Sequence, residues 1–211
     1  DSIEKYGITP IQRLNNLGII GPLLIAAHCV VLNNQDIDIL TQNKVSIVHN
    51  PSSNMKLGSG LANVTEMLKK NLNVSLGTDS SASNNRLDIM EEMRLAALLI
   101  KGNSKSPELF STSEAIRMAT INGAKALGLE STIGSIEKNK KADLISIDLN
   151  SIQNQPNYNP LSTLVYSSSK LDVSFVWING EIKLKNKKLV NLDEKRILQM
   201  AKKWQKKLIE M

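Results

Sequence analysis

A threefold alternation of short apolar strands with helix-type patterns is the feature that most constrains this fold. The strand candidates are "PLLIAAH", "KVSIVHN" and "NVSLGTD", and the segments between them, "NNQDIDILTQN" and "GLANVTEMLKKN", have the spacing of helices. Strands that alternate with helices through short links predict parallel βα units. His28, His49 and Asp79 lie at the carboxyl ends of the three strands. Because the carboxyl ends of parallel strands meet at one edge of a sheet, we expect these side chains to lie there together.

Further helices are predicted on both sides of this alternation. "ITPIQRLNNLG" has Thr9 as its N-cap, Pro10 in its first turn and Gly18 at its end. "STSEAIRMATINGAKALGLE" predicts one continuous helix that Ser111 or Thr112 caps. "RLDIMEEMRLAALLIKG" predicts a longer helix before it. The inner stripe of that longer helix is predicted to be Leu87, Met90, Met93, Leu95 and Leu98.

A small β unit is predicted in the last third of the chain. "ADLISIDL" favours a strand, and "LDVSFVWINGEIKLKNKKLV" predicts an antiparallel hairpin that turns at Asn179 and Gly180. Asp193 is predicted to cap a terminal amphipathic helix. The predicted organisation is an α/β part, a small β segment and a terminal helix, at residues 1–130, 131–192 and 193–211.

The positive charge of the chain lies at one end. The formal net charge is +6, and the segment from Glu181 onward, with ten Lys/Arg against four Asp/Glu, accounts for all of it. Trp204 is the one aromatic residue among the lysines of the terminal helix. This distribution favours a solvated helix face over a nucleic-acid interface. A nucleic-acid binder stays open as a minor alternative, whose binding would depend steeply on salt.

Cysteine usage and hydropathy suggest the compartment. Cys29 is the single cysteine, so no intramolecular disulfide can form, and a reducing compartment is expected. No apolar run approaches the roughly 18 residues that a membrane span needs. The chain opens on "DSIEKYGITP", without Met and without a signal-peptide pattern. The expectation is a cytoplasmic protein, and a piece of a longer polypeptide.

The residues at the strand ends can carry chemistry. A histidine at neutral pH can move a proton, bind a metal or polarise a substrate, and a carboxylate can bind a metal or accept a proton from water. The following loops, "HNPSSNMKLGSG" and "GTDSSASNN", are rich in small hydrogen-bonding residues. Structural alternatives remain open: His28 bonded to a neighbouring carbonyl, and Asp79 capping the next segment.

Four ordered motifs carry a resemblance to a known family. "AAHCV", "VHNPSSNMKLGSG", "LGTDSSASNNRLDIMEEMR" and "GSIEKNKKADL" together resemble the amidohydrolase superfamily. The resemblance is strongest to its aminohydrolase branch, the 5′-methylthioadenosine/S-adenosylhomocysteine deaminases. It implies an α/β fold, namely the C-terminal part of a metal-dependent (β/α)8 TIM-like barrel with part of a small β-sandwich.

The resemblance also implies roles for individual residues. Asp79 matches the aspartate that binds the metal and handles the proton of the attacking water. His28 matches the histidine that positions or polarises that water, so the implied catalytic residues are His28 and Asp79. His49, Asn54 and Ser80 match the lining of the substrate pocket. The implied cofactor is Zn²⁺, with Fe²⁺ as the alternative ion.

Part of the family's metal site has no match in this chain. A barrel needs about 250 residues, and the chain has only two histidines. The family's His-x-His pair on the first strand, and its fifth-strand histidine followed three residues later by glutamate, are therefore absent. The resemblance implies the C-terminal half of a deaminase, expected to be inactive and to bind zinc weakly until the N-terminal half of the barrel joins it.

The complete enzyme is expected to catalyse hydrolytic deamination of an adenosine-type purine, such as 5′-methylthioadenosine or S-adenosylhomocysteine. Its expected partners are that small molecule, the missing half and a further copy in a homo-oligomer, with no membrane. Three alternatives remain: an s-triazine chlorohydrolase, a guanine-type deaminase, and a non-catalytic binding or assembly module.

Overall fold

Three parallel strands form the sheet of the larger unit of the chain. In the computed structural model, which describes residues 1–210, they are β1 (Ile25–Ala27), β2 (Ser46–His49) and β3 (Asn73–Leu76). β2 lies in the centre, and Ile47 pairs with Ala26 on one side and with Val74 on the other. The prediction of parallel βα units is confirmed. The carboxyl ends of the strands therefore lie at one edge.

The larger unit comprises residues 1–140 and 149–170 and contains ten α-helices. One-turn 3₁₀ helices lie at Ile152–Asn154 and at Lys170–Asp172. The α-helices are α1 (Ser2–Tyr6), α2 (Pro10–Asn16), α3 (Asn34–Gln42), α4 (Pro51–Lys56), α5 (Val64–Lys69), α6 (Ser81–Asn84), α7 (Ile89–Ser104), α8 (Thr112–Met118), α9 (Ile121–Ala126) and α10 (Pro160–Tyr166).

Local capping chemistry sets several of these helix starts. The Thr9 hydroxyl accepts from the backbone N–H of Gln12, whose side chain accepts from the Thr9 N–H. Ser111 and Glu114 form the same reciprocal capping box at the start of α8. Each pair satisfies two backbone donors that a helix end otherwise leaves unpaired. Thr9 and Ser111 are thus confirmed as caps.

Two helix predictions are wrong in detail. The predicted continuous helix after Ser111 is divided into α8 and α9, because Thr120 leaves helical geometry with φ −133° and ψ −98°. In α7, Met90 and Met93 are buried as predicted, but the remaining buried positions are Ala96, Ala97 and Ile100 with Glu92, whereas Leu98 is 44% exposed. Small side chains lie inward because α7 packs against four neighbouring helices, α4, α5, α8 and α10, where the alanines allow close approach. Leu87, predicted to face inward, lies before the helix and is exposed.

The hydrophobic core of the larger unit lies between the sheet and its helices. Burying a large aliphatic side chain stabilises the fold by about 1.5–3 kcal/mol, so this cluster holds the strand ends in place. The fully buried members include Ile37, Leu40, Val45, Ile47, Val64, Met67, Val74, Phe110, Met118 and Val165.

The smaller unit, residues 141–148 and the chain from Leu171 onward, is an antiparallel sheet followed by a helix. Asn179 and Gly180 both have positive φ, as a tight hairpin turn requires, and the predicted hairpin is confirmed. Residues 149–170 belong to the larger unit. The predicted division, with boundaries at residues 130 and 192, places this segment in the small β part instead. The strands are β4 (Leu144–Ile147), β5 (Val173–Ile178), β6 (Glu181–Lys185) and β7 (Lys188–Leu189), in that order across the sheet.

The terminal helix, α11 (Glu194–Ile209), is amphipathic and exposed. Asp193 caps it by accepting from the Arg196 N–H, as predicted. None of its described side chains is buried. Within residues 1–210, no helix is both long enough and apolar enough to cross a bilayer.

Candidate active site

The carboxyl edge of the parallel sheet brings His28 and Asp79 together. His28 directly follows β1, and Asp79 follows β3 after two intervening residues. The His28 Nε2 lies 3.8 Å from the Asp79 Oδ2. Both side chains are about one third exposed, at 39% and 30%. A water molecule or a small ligand can therefore reach the pair.

Asp79 is held as an anion by three hydrogen bonds. Its Oδ2 accepts from the Ser83 hydroxyl at 2.6 Å and from the Ser53 hydroxyl at 2.7 Å, and its Oδ1 accepts from the Ser80 N–H at 2.7 Å. These bonds, first that of Ser83 and then those of Ser53 and Ser80, lower the pKa of Asp79 to about 2. A carboxylate kept charged in this way can bind a cation.

The orientation of the His28 ring is set by Asn54. The Asn54 carbonyl oxygen Oδ1 accepts from the His28 Nδ1–H at 2.8 Å, and Asn54 is 1% exposed. When the ring is neutral, the proton is then on Nδ1 and the lone pair of Nε2 faces Asp79. The sequence predicted Asn54 as a pocket residue, and the structure places it behind the His28 ring, in the interior.

The helix α4 positions both members of the pair. Ser53, which bonds Asp79, and Asn54, which bonds His28, are adjacent residues on this helix and are both buried. The small polar residues of this segment predict a loop, and they give no role to Ser53. Pro51 at the first helical position is the local signal for a helix here. No signal in the sequence indicates that the helix bridges two strand ends.

The backbone is strained at the same place. His28, Cys29 and Asp79 have φ values of 65°, 49° and 60°, in the left-handed region that side chains other than glycine rarely adopt. Such residues cost about 1–3 kcal/mol each and persist where the surroundings impose them. Strain at both members of the pair favours a functional origin for this geometry.

The structure places His49 and Ser80 differently from each other. His49 is 3% exposed, lies on the same strand face as Ile47 of the core, and lies at the inner end of a small surface pocket that Leu61 and Asn103 also line. Its Nδ1 has no hydrogen-bond partner, and burial, followed by the nearby His28, lowers the pKa of His49 to about 4. Ser80 is exposed and bonds Asp79 through its backbone N–H.

The pair supplies only part of a metal site. An anionic carboxylate and an imidazole nitrogen are both zinc donors, and His28 and Asp79 present one of each on the same side. Zinc takes about three or four protein ligands, whereas residues 1–210 contain no cluster of three or more His, Cys, Asp or Glu side chains. The residues present therefore fit one side of a zinc site and do not complete it.

The chain is similar in sequence to known deaminases. A 5-methylthioadenosine/S-adenosylhomocysteine deaminase of Acetivibrio thermocellus is 48% identical over 93% of this chain and 46% of its own length. A 5′-deoxyadenosine deaminase of Methanopyrus kandleri is 45% identical over 93% of this chain and 45% of its own. The chain thus spans about half the length of these relatives.

The chain is also similar in structure to solved hydrolases. An adenosine deaminase from Xanthomonas campestris with bound zinc superposes with a TM-score of 0.98 at 37% identity, over 100% of this chain and 48% of its own. An atrazine chlorohydrolase from Arthrobacter aurescens complexed with zinc gives 0.89 at 30% identity, over 95% of this chain and 45% of its own. The amidohydrolase family model matches residues 1–183. The chain belongs to the amidohydrolase family.

Proposed function

We propose that this chain is the C-terminal half of a zinc-dependent (β/α)8 barrel that deaminates an adenosine-type purine by hydrolysis. The observation that carries the proposal is the His28–Asp79 pair, 3.8 Å apart and held from α4 at the carboxyl edge of the sheet. Relatives named as deaminases of 5-methylthioadenosine/S-adenosylhomocysteine and of 5′-deoxyadenosine support this substrate class.

The residues of the pair have separate tasks in the proposed reaction. When bound, zinc would be held in part by Asp79 and would lower the pKa of a water molecule toward about 7. The Asp79 Oδ2 would receive a proton from the water that attacks the carbon bearing the amine, and the amine would leave as ammonia. The His28 Nε2 would accept a hydrogen bond from the same water, which directs a lone pair of the water oxygen toward the purine ring. Ser53, Ser83 and Asn54 keep both groups in place.

The other half of the barrel is the proposed partner. Within the described residues, β1 and β3 each pair with β2 only, so each has an open edge. The remaining zinc ligands and the acid that protonates the purine ring would come from the strands that pair there. We further propose that His49, Asn54 and Ser80 line or support the substrate pocket, that the ion is zinc, and that the complete enzyme is cytoplasmic.

Complementation with a relative tests this function. The chain is co-expressed with the unmatched half of the 48%-identical Acetivibrio thermocellus relative, and ammonia release is measured with 5′-methylthioadenosine, S-adenosylhomocysteine and 5′-deoxyadenosine. We expect release by the assembly, none by the chain alone, and none by the Asp79→Asn assembly, with the circular dichroism unchanged. A folded assembly that releases no ammonia, or an Asp79→Asn assembly that remains active, contradicts the proposal.

Chlorohydrolysis of an s-triazine is the second candidate, because the atrazine chlorohydrolase superposes with a TM-score of 0.89. Chloride release from atrazine by the same assembly distinguishes it from deamination. Guanine is tested as a third substrate. A folded assembly that turns over none of these molecules would favour a non-catalytic module.

A further inference from the structure

The larger unit contains a buried carboxylate that no described cation neutralises. Glu92, in the first turn of α7, is 1% exposed, and the ion pairs of residues 1–210 do not include it. Burying a charge is unfavourable unless hydrogen bonds compensate the lost hydration. The partners of Glu92 therefore indicate what the carboxylate does.

One oxygen of Glu92 caps the helix α4 from 40 residues away. The Ser52 N–H donates to the Glu92 Oε2 at 3.0 Å. Ser52 is the second residue of α4, and the N-cap residue of that helix, Asn50, makes no side-chain capping bond. The Asn50 Nδ2 donates to the Val48 carbonyl. Glu92 thus satisfies a donor that the helix would otherwise leave unpaired.

The other oxygen of Glu92 fixes the loop that carries Asp79. The Asn84 Nδ2 donates to the Glu92 Oε1 at 2.8 Å and to the Thr78 carbonyl at 2.8 Å. Thr78 directly precedes Asp79, so the chain of bonds runs from α7 through the last residue of α6 to the backbone of Asp79. The two oxygens of one carboxylate therefore reach α4, which bonds both members of the pair, and the loop that carries Asp79.

We propose that Glu92 is a positioning residue for the reaction proposed above: it holds α4 and α6 in one relative position and so keeps the His28 and Asp79 side chains facing each other. Through Ser52 it fixes α4, which carries the Asn54 that orients the His28 ring. Both oxygens of Glu92 accept from N–H groups, so only a side chain with two acceptors fits. A glutamine would turn its NH₂ group toward one of those donors and leave it unpaired.

The test compares Glu92→Gln with a matched control in the 211-residue chain. The control is Asp36→Asn, which makes the same carboxylate-to-amide change at another buried carboxylate, 1% exposed, on α3. Asp36 accepts from the Thr9 hydroxyl and from the Asn33 N–H, away from the His28–Asp79 pair. The readout is the imidazole ¹⁵N spectrum at about pH 8, where histidines are neutral. With only two histidines the signals can be assigned.

In the unmodified chain we expect His28 to be predominantly the Nδ1–H tautomer. Both variants are expected to lower Tm, and only Glu92→Gln is expected to shift the His28 signals toward a mixture of tautomers. Equal losses of Tm with unchanged His28 signals would show that Glu92 is merely structural, and would overturn the proposal. The measurement needs neither metal nor substrate, so a failure of the deaminase function leaves its result unaffected.

A second variant covers the case in which Glu92→Gln does not fold. Asn84→Ala removes the hydrogen bonds that join Glu92 to the Thr78 carbonyl. Asn84 is half-buried, so its truncation should destabilise the fold less than a change at the buried Glu92. We expect this variant to fold, and to shift the carboxyl signal of Asp79 and the ring signals of His28. A folded Asn84→Ala chain in which both sets of signals stay in place would refute the positioning role.

Discussion

Individual side chains decide the protonation of the site, and Asp79 is the clearest case. Its pKa is about 2 in the folded chain against an ordinary 3.8. A group whose folded pKa is lowered contributes stability above its unfolded pKa, and this contribution is lost as the pH falls through the folded value. The contribution of Asp79 is therefore complete above about pH 3.8 and disappears toward pH 2.

Removing the largest cause of this shift should raise the pKa. In Ser83→Ala the 2.6 Å bond to Oδ2 is lost, and we expect the pKa of Asp79 to move toward 3.8 in a carboxyl-carbon NMR titration. Ser80→Ala is the matched control, because Ser80 bonds Asp79 through its backbone N–H and should leave the pKa near 2. An unchanged pKa in Ser83→Ala would contradict the assigned cause.

The buried His49 predicts a pH-dependent stability of its own. Its pKa is about 4 in the fold and 6.5 ordinarily, first because burial disfavours the charged ring and then because of His28. Between these values the unfolded chain binds the extra proton, so the free energy of unfolding should fall by about 3 kcal/mol as the pH drops from 6.5 to 4. Urea unfolding across this range measures the slope. In His49→Gln the slope should become shallower, and identical slopes in both proteins would refute the prediction.

Among the helices, α7 shows that close packing against neighbours, and not the size of the apolar side chains, decides which face is buried. A stripe chosen by the size of apolar side chains included Leu98, yet the helix turns Ala96 and Ala97 toward its neighbours. The small residues let α7 approach the adjoining helices closely, and this approach also brings Glu92 to the start of α4. The spacing of apolar residues alone does not distinguish these two faces, since both are apolar.

A pair of substitutions tests this orientation of α7. Ala97, fully buried, should not accommodate a larger side chain, so Ala97→Leu is expected to lower the free energy of unfolding by about 1–3 kcal/mol. Leu98→Ala, at a position that is 44% exposed, is expected to cost less than about 1 kcal/mol. Urea denaturation of both variants decides the matter. A larger loss of unfolding free energy in Leu98→Ala than in Ala97→Leu would show that Leu98 faces inward, as the sequence pattern predicts.

At the scale of the whole molecule, residues 1–210 provide one side of a metal site. His28 and Asp79 are two donors at the carboxyl edge of a sheet whose outer strands have open edges. The zinc-bearing adenosine deaminase that superposes over the full chain has about as much chain again. Metal content should therefore depend on whether a second half is present.

Elemental analysis of the purified protein checks this dependence. We expect far less than one zinc per chain for the 211-residue protein after gel filtration, and about one for the assembly with the relative's other half. Asp79→Asn should lower the zinc content of that assembly, whereas Ser80→Ala should not. Stoichiometric zinc in the isolated chain would show that its own residues, or a second copy, complete the site.

Much of the fold and part of the site could be predicted from local patterns. The caps at Thr9 and Ser111 and the turn at Asn179-Gly180 depend on contacts within a few residues, which sequence spacing records directly. The parallel strands pair distant residues, such as Ile25 with Ser46, but the alternation of strand and helix patterns along the chain predicts that arrangement. The positions of His28 and Asp79 after their strands were predictable for the same reason.

The tertiary structure alone decided how those residues are held. The bonds from Asn54 to His28 and from Ser53 to Asp79 join residues 26 apart, and the bond from Ser52 to Glu92 joins residues 40 apart. Such pairs form only when α4, α6 and α7 have packed around the edge of the sheet. The sequence by itself determined which chemical groups stand at the strand ends. Long-range packing decided their tautomer, charge and direction, because those depend on partners that no local pattern specifies.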